Sequence, residues 1–356
     1  MIGSSNERKM LIDRPIVLLA SERSGGNLLR AILGSHSSVA APTPVHLLIG
    51  FDPLLPMYGD FRDDRAFRRA CDDVSSFFEY QIAGQADPPD AAGLFADARE
   101  RSLVGLLDAA FDQLLRASGS TRIALKENEA FRYAHRLVRA YPGARFVYLV
   151  RDGRDAALSW LKSPNHLGGI AHIAETWRDE QRACLSLLCD PLLADSIHVV
   201  HYEDLVSNPQ AVVRSLCEFT DLDFEEPMLD FHGRADVREQ SAGVRDWENL
   251  AKPIMEQNFN KHQTELGWWR VQTFNQIARR ELAALGYEVP EPSSLHKVSE
   301  QLWTVSRETL GLAGKAARGR VPKATELLVR GKRRRNIERI TTDLEEHQRP
   351  RWPRRG

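Results

Sequence analysis

Four short apolar segments constrain the fold of this chain more than any other feature of its sequence. They are IVLLA (Ile16–Ala20), RIALK (Arg122–Lys126), RFVYLV (Arg145–Val150) and IHVVHY (Ile197–Tyr202). Their apolar residues run on continuously instead of alternating with polar ones, which is typical of strands covered on both faces. Helix-like segments lie between them. This order predicts a three-layer α/β fold in which a parallel sheet is flanked by helices.

The long region between the first two predicted strands carries a helical pattern of its own. Apolar residues recur at helical spacing through residues 52–118, and the turn-rich sequence GQADPPDAAG interrupts them. We interpret this region as a helical insertion within a domain that covers residues 14–288. Residues 289–356 change in composition and include the basic runs GKRRRNIER and RPRWPRRG. We expect them to form a basic C-terminal extension.

The composition is that of an ordinary globular protein. The chain has 356 residues, of which 42% are hydrophobic, and its formal net charge is -1, so it can bury a full core and has no overall bias toward nucleic acid. Its N-terminal segment lacks the apolar stretch of a signal peptide, and its first apolar run is far shorter than the roughly 20 residues of a membrane span. The four cysteines show no CxxC spacing, which favours free thiols. We therefore expect a cytoplasmic protein.

The first predicted strand leads into a loop of small residues and then into a helix, in the segment IVLLASERSGGNLLRAILGS. Backbone N–H groups of such a loop attract an anion, because the helix dipole and the unpaired donors act together. The glycines permit close approach, and Arg23 adds a cation. The segment has neither the GxxxxGK[ST] of a Walker A motif nor the GxGxxG of dinucleotide-binding folds. The residues that we expect at this anion site are Arg23, Ser24, Gly25, Gly26, Asn27 and Leu28.

A second strand-to-helix segment, RFVYLVRDGRDAALSWLKS, repeats this arrangement. Arg151 follows the strand, and Ser159 lies about two turns into a helix that begins near Gly153 or Arg154. A guanidinium and a hydroxyl that converge on one phosphate form charge-assisted hydrogen bonds that fix its position. The sequence therefore predicts a second phosphate site.

Three motifs in this order, RSGGNLL, LVRDGRDAALSWLKS and HYEDLVSNPQAVVRSLCEF, resemble the sulfotransferase family over about residues 14–288. The resemblance implies a P-loop-like sulfotransferase fold. It also implies that the co-substrate is 3′-phosphoadenosine 5′-phosphosulfate (PAPS) and that the helical insertion covers the acceptor side.

The resemblance assigns expected roles to individual residues. The first loop would bind the 5′-phosphosulfate, and Arg151 and Ser159 would bind the 3′-phosphate. Tyr202 would reach the adenine. The stretch SAGVRDWENLAKP resembles a later loop that closes over the 3′-phosphate, which makes Gly243 and Arg245 further candidates.

Sulfuryl transfer requires donor and acceptor in line and positive charge beside the leaving oxygens. Arg23 and Lys126 suit that role, and the sequence offers no cluster of metal ligands, so we expect no metal. The acceptor must also lose a proton. His46, in the segment APTPVHLLIG, is the leading base because a histidine titrates in the right range. Related bacterial enzymes that sulfonate carrier-bound acyl hydroxyls have an acidic residue where this chain has Val45.

The cytosolic small-molecule branch of the family suggests other bases. Its catalytic histidine lies two residues after a lysine on the strand before the second site. In this chain Lys126 is followed by Glu127 and Asn128, so that histidine is missing. Glu127 or Glu129 is therefore the reserve base.

The sequence leaves alternatives open. A P-loop kinase would turn over ATP with Mg²⁺, and a catalytically silent scaffold would bind nucleotide without transfer. The resemblance implies that the acceptor is a hydroxyl or amine, and a small molecule, lipid, carbohydrate or carrier-bound group all remain open as its source. We expect no specific nucleic-acid partner, whereas the basic extension could contact a membrane surface or an acidic partner. The oligomeric state is not predicted.

Overall fold

The computed structural model describes residues 12–79, 87–163, 168–290 and 334–344. Within them, five strands form one sheet with the order β2-β3-β1-β4-β5, and every neighbouring pair is parallel. The strands are β1 (Ile16–Ala20), β2 (Val39–Ala40), β3 (Arg122–Lys126), β4 (Arg145–Val150) and β5 (Ile197–His201). The predicted α/β fold with a parallel sheet flanked by helices is therefore confirmed.

Helices connect the strands and cover both faces of the sheet. In chain order they are α1 (Gly26–Leu33), α2 (Leu47–Phe51), α3 (Leu55–Tyr58), α4 (Asp64–Phe78), α5 (Ala91–Asp97), α6 (Leu103–Ser118), α7 (Ala134–Ala140), α8 (Gly153–Lys162), α9 (Ile170–Leu188), α10 (Tyr202–Ser207), α11 (Pro209–Thr220), α12 (Ala235–Gly243), α13 (His262–Glu265) and α14 (Trp268–Ala284). Short 3₁₀ segments lie at Asp52–Leu54, Ala130–Tyr133, Ala194–Ser196, Glu226–Met228, Phe231–Gly233 and Arg245–Ala251. In the part of the chain that the structure describes, no helix has both the length and the apolar character needed to cross a bilayer.

The positions of the side chains of the central strand β1 explain why its sequence is apolar throughout. Val17 and Leu19 belong to the core cluster on one face of the sheet, whereas Ile16 and Leu18 belong to the cluster on the other face. Successive side chains of a strand point to opposite faces, so a strand buried on both sides needs no polar positions. The strand also lies between β3 and β4. The loops that follow these three strands therefore meet at one edge, where open α/β sheets bind ligands.

The short strand β2 is absent from the sequence prediction. It comprises only Val39 and Ala40, which pair with Arg122 and Ile123 of β3. Two residues are too few to give a pattern of apolar periodicity.

The region predicted as a helical insertion, residues 52–118, contains α4, α5 and α6, the longest helices between β2 and β3. Each begins at a residue whose side chain caps the first turn, namely Asp63, Asp90 and Ser102. Their apolar faces join the core cluster that also contains Val17 and Leu19 of β1. The insertion is thus packed on the sheet.

Part of the basic C-terminal extension is packed against α4. Residues 334–344 are helical, and Ile340 and Leu344 are only 0% and 2% exposed. Asn336 Nδ2 donates a hydrogen bond to Ser76 Oγ at 2.8 Å, and Arg339 pairs with Asp73 at 3.3 Å. The rest of the extension beyond residue 290 lies outside the described residues.

Candidate active site

A cavity of about 290 Å³ lies at the carboxyl ends of β1, β3 and β4. It brings together most of the residues that the sequence analysis selected. Those on its wall are Arg23, Gly25, Gly26, Asn27, Leu28, His46, Lys126, Arg151, Ser159 and Tyr202. Those that do not line it are Ser24, Glu127, Gly243 and Arg245.

The loop after β1 turns sharply because two of its residues adopt left-handed backbone angles. Arg23 has φ 67° and Gly25 has φ 93°, and α1 begins at the next residue, Gly26. The first N–H groups of a helix have no acceptor within the helix, so this end of α1 favours an anion. The N–H of Ser24 instead donates to the Ser21 carbonyl at 3.2 Å and closes the turn.

Gly25 also allows a close contact across the cavity. A Cβ at this position would lie 2.5 Å from Cδ2 and 2.7 Å from Cε2 of the Tyr202 ring. The ring is therefore packed directly on the backbone of the loop. The Arg151 guanidinium lies over the same ring, 4.3 Å from its centroid, a geometry that stabilises the cation.

Arg151 connects the two predicted phosphate loops. Its Nη1 donates to the carbonyl oxygen of Arg23 at 3.0 Å, and its Nη2 donates to the carbonyl oxygen of Asn258 at 3.1 Å. Asn258 in turn donates from Nδ2 to the Tyr202 hydroxyl at 2.7 Å. The guanidinium is therefore held by both the first loop and a segment before α13.

Ser159 makes a second connection between the loops. It lies on α8, and its Oγ accepts a hydrogen bond from Arg23 Nε at 3.2 Å. Arg23, Arg151 and Ser159 therefore face one shared groove, as an elongated ligand with two anionic ends would require.

A buried polar network fixes the start of α8. The Asp152 side chain caps the helix by accepting from the Arg154 N–H at 2.8 Å, and it also pairs with the Arg154 guanidinium at 2.7 Å. Asp155 accepts from His262 through both its N–H and its ring Nδ1, at 2.7 and 3.0 Å. Although burial opposes it, these hydrogen bonds hold the pKa of Asp155 below its usual range. No group of three or more His, Cys, Asp or Glu side chains in the described ranges is arranged to hold a metal ion.

Lys126 lies at the end of β3, with its side chain beside Gly26 at the start of α1, and is connected to a carboxylate. Its Nζ donates to Asn128 Oδ1 at 2.6 Å, and Asn128 Nδ2 donates to Glu22 Oε1 at 2.5 Å. Burial lowers the pKa of Lys126, and the charges of Glu22 and Glu127 oppose that shift. Lys126, Asn128 and Glu22 all line the cavity.

His46 and Glu127 have different positions relative to the cavity. His46 lies on its wall and precedes α2 in a left-handed conformation, with φ 59°. Glu127 is only 4% exposed, and its Oε1 accepts from the His46 N–H at 2.9 Å. The carboxylate therefore holds the backbone of His46 in this turn.

The segment Arg245–Ala251 contributes to the cavity, although through residues other than those selected from the sequence. Arg245 is exposed, and Gly243 ends α12. Asp246 and Trp247 line the wall instead. Asp246 Oδ2 accepts from Ser163 Oγ at 2.8 Å and lies 3.6 Å from Arg23 Nη1.

Sequence analysis assigned no role to several other wall residues, although some of them lie within segments that it considered. They are Ser21, Glu22, Pro44, Phe231, Val244, Asp246, Asn249, Leu250, Lys252, Pro253, Ile254, Met255 and Asn258. One signal could have indicated some of them: the segment SAGVRDWENLAKP, which supplied Gly243 and Arg245 as candidates, also contains Asp246, Asn249 and Lys252.

Comparison with known proteins gives a family and a fold. A family model described as "Sulfotransferase family" matches residues 15–226. Protein-tyrosine sulfotransferase 1 of Danio rerio is 26% identical over 158 residues, which cover 43% of this chain and 44% of that protein. The chain spans 32 to 66% of the length of the curated relatives it matches.

Two solved structures have a similar fold. One is a sulfotransferase domain from the curacin biosynthetic pathway, with 21% identity, coverage of 78% of this chain and 99% of that chain, and a TM-score of 0.53. The other is a sulfotransferase domain from the Synechococcus PCC 7002 olefin synthase, with 20% identity, coverage of 78% and 96%, and a TM-score of 0.50.

Proposed function

Because this chain belongs to the sulfotransferase family, we propose that it transfers a sulfuryl group from PAPS to a hydroxyl or amine of its acceptor. The observation that carries the proposal is the contact between Arg151 Nη1 and the Arg23 carbonyl at 3.0 Å. This contact brings the arginines that follow β1 and β4 together in one groove. PAPS has an anionic group at each end of its adenosine, so a groove with two separate cations complements it.

The residues of the groove fit PAPS as follows. Arg23 and the first N–H groups of α1 would bind the 5′-phosphosulfate, and Arg151 with Ser159 would bind the 3′-phosphate. Tyr202 would contact the adenosine between them, since its ring lies against both Gly25 and Arg151. Asp246, 3.6 Å from Arg23 Nη1, would have to move away from the guanidinium when an anion binds there.

Transfer would depend on placing positive charge where negative charge develops. The bond between sulfur and the bridging oxygen of the 5′-phosphate breaks, and that oxygen gains charge. Arg23 and Lys126 both line the same cavity and would neutralise it. A protonated Lys126 is needed for this; burial lowers the pKa of Lys126, whereas the charges of Glu22 and Glu127 oppose that shift.

The acceptor must give up a proton, and two of the bases considered from the sequence differ in access. His46 lines the cavity and can meet an acceptor there. Glu127 is buried and binds the His46 backbone. Of these two, His46 has the better access to an acceptor, and Glu127 would position its backbone.

The name of one relative suggests which class of acceptor to test first. A zebrafish relative is named a protein-tyrosine sulfotransferase, so a tyrosine-containing peptide is the first acceptor to assay. Small-molecule, lipid, carbohydrate and carrier-bound hydroxyls or amines follow in the same assay, with labelled PAPS as donor. Transfer to any of them supports the proposal.

Isothermal titration separates this proposal from the two alternatives. The ligands are 3′-phosphoadenosine 5′-phosphate and ATP, each with and without Mg²⁺. We expect tight binding of the bisphosphate that does not depend on Mg²⁺. A kinase would instead bind ATP with Mg²⁺, and a silent scaffold would bind the bisphosphate but fail every transfer assay.

A further inference from the structure

The cavity wall beside Lys126 carries the carboxylate of Glu22. Asn128 bridges the two residues, because its Oδ1 accepts from Lys126 Nζ at 2.6 Å and its Nδ2 donates to Glu22 Oε1 at 2.5 Å. An amide between an ammonium and a carboxylate has only one orientation in which both ends are satisfied. Asn128 therefore fixes the position of the Glu22 carboxylate relative to Lys126.

The reserve bases taken from the sequence have less access to an acceptor. Glu127 is 4% exposed, does not line the cavity and accepts from the His46 N–H. Glu129 lies off the cavity wall and pairs with Arg132 at 2.5 Å. Neither carboxylate lines the cavity in which an acceptor would meet the sulfuryl group.

Asp246 is the other carboxylate on the wall, and it lies at the anion-binding end. Its Oδ2 accepts from Ser163 Oγ at 2.8 Å and is 3.6 Å from Arg23 Nη1. A carboxylate at that position would repel the phosphate that Arg23 is expected to hold. Glu22 is instead connected through Asn128 to Lys126, which lies at the end of β3, the strand next to β1.

We propose that Glu22 is the base that takes the proton of the acceptor, an inference that rests on the proposed function. As the acceptor oxygen or nitrogen bonds to sulfur, the bond between sulfur and the bridging phosphate oxygen breaks. Its electron pair stays on the phosphate, where Arg23 and Lys126 neutralise the charge. The acceptor proton passes to the Glu22 carboxylate. Asn128 is then a positioning residue that holds the Glu22 carboxylate and the Lys126 ammonium in a fixed relative position.

The test begins with three variants of the full chain, assayed with PAPS and the best acceptor from the transfer assay. Glu22→Gln keeps the size of the side chain and removes the base, so we expect turnover to fall by about 10²–10⁴-fold. Its affinity for 3′-phosphoadenosine 5′-phosphate should stay within about threefold of the wild type, which also shows that it folds. His46→Asn is compared in the same assay, because a larger loss of turnover there than in Glu22→Gln would assign the base to His46. Glu175→Gln, on the exposed face of α9, is the matched control and should behave as the wild type.

Chemical rescue distinguishes a base from a structural carboxylate. Added formate should restore part of the turnover of Glu22→Ala, because a small acid can occupy the space and take the proton. Normal turnover of Glu22→Gln with slow turnover of His46→Asn would overturn the inference in favour of histidine. Loss of bisphosphate affinity in Glu22→Gln, or no rescue by formate, would also overturn it. If the wild type transfers sulfate to no acceptor, the proposed function itself fails.

Discussion

Arg23 and Ser159 are 136 positions apart in the chain, yet Arg23 Nε donates a hydrogen bond to Ser159 Oγ at 3.2 Å. The contact joins the loop after β1 to the helix after β4. Because these strands are neighbours in the sheet, the two loops form one groove. The proposed function depends on this connection, since a single ligand must reach both loops.

Ser159→Ala should weaken binding of 3′-phosphoadenosine 5′-phosphate by about 1.5–3 kcal/mol, the usual contribution of a hydrogen bond to a charged group. Binding of adenosine 5′-phosphate, which lacks the 3′-phosphate, should change much less. Titration calorimetry measures both. Ser186→Ala is the control, since its hydroxyl bonds only to a carbonyl of its own helix at an exposed position. Equal affinity of Ser159→Ala and the wild type for the bisphosphate would remove Ser159 from the site.

Gly25→Ala should reduce both stability and bisphosphate affinity, because its Cβ would lie 2.5 Å from the Tyr202 ring. Gly119→Ala isolates the backbone contribution, since Gly119 also has positive φ, 68°, but has nothing within 4 Å of the added Cβ. We expect the free energy of unfolding to fall by roughly 1 kcal/mol in Gly119→Ala and by a further 1–3 kcal/mol in Gly25→Ala. Urea denaturation tests this, and equal losses in the two variants would rule out the clash.

Glu180 should make stability depend on pH. Burial, with repulsion from Glu22 and Glu129, raises its pKa from 4.5 to about 7, although a hydrogen bond with Ser21 opposes the shift. The folded state therefore holds a proton that the unfolded state releases. This contribution to stability is complete below pH 4.5 and is lost as the pH rises through 7.

Glu180→Gln cannot ionise and should not show that loss. The free energy of unfolding of Glu180→Gln minus that of the wild type should be about 2–3 kcal/mol larger at pH 8 than at pH 5, which means that the variant is relatively more stable at the higher pH. Urea denaturation at both pH values measures the difference, with Glu175→Gln on the exposed face of the same helix as the control. The same relative stability at both pH values would contradict the raised pKa.

Ile340→Ala should destabilise the protein by about 2–5 kcal/mol, because it removes a fully buried side chain from the helix packed against α4. Thr342→Ala, at an exposed position of the same helix, should cost less than about 0.5 kcal/mol. Thermal or urea unfolding compares the two. Equal, small effects would mean that residues 334–344 do not belong to the core.

The sequence predicted the architecture because the strands that build it are buried on both faces. Their continuous apolar runs mark β1, β3, β4 and β5 within one residue of their bounds. It missed the packing of residues 334–344, since the run of arginines there suggested a solvated extension. The signal was present in Ile340 and Leu344, which are four residues apart and therefore share a helix face.

The candidate site was predictable where strand-to-helix motifs supply it, as at Arg23, Arg151 and Ser159. It was not predictable where contacts depend on the path of loops. Glu22 precedes the motif arginine and has no motif role, and only the folded chain brings it to Asn128. In the segment Arg245–Ala251, Asp246 lines the cavity while its neighbour Arg245 is exposed, and composition cannot distinguish two adjacent positions in this way.

Calorimetric binding of adenosine 3′-phosphate, adenosine 5′-phosphate and 3′-phosphoadenosine 5′-phosphate to Arg23→Gln and Arg151→Gln tests the shared groove most directly. We expect Arg151→Gln to lose affinity for ligands with a 3′-phosphate while it binds adenosine 5′-phosphate nearly as the wild type does. Arg23→Gln should show the opposite pattern, and only the bisphosphate should be weakened by both substitutions. Bisphosphate affinity that is insensitive to either substitution would contradict one ligand spanning both arginines.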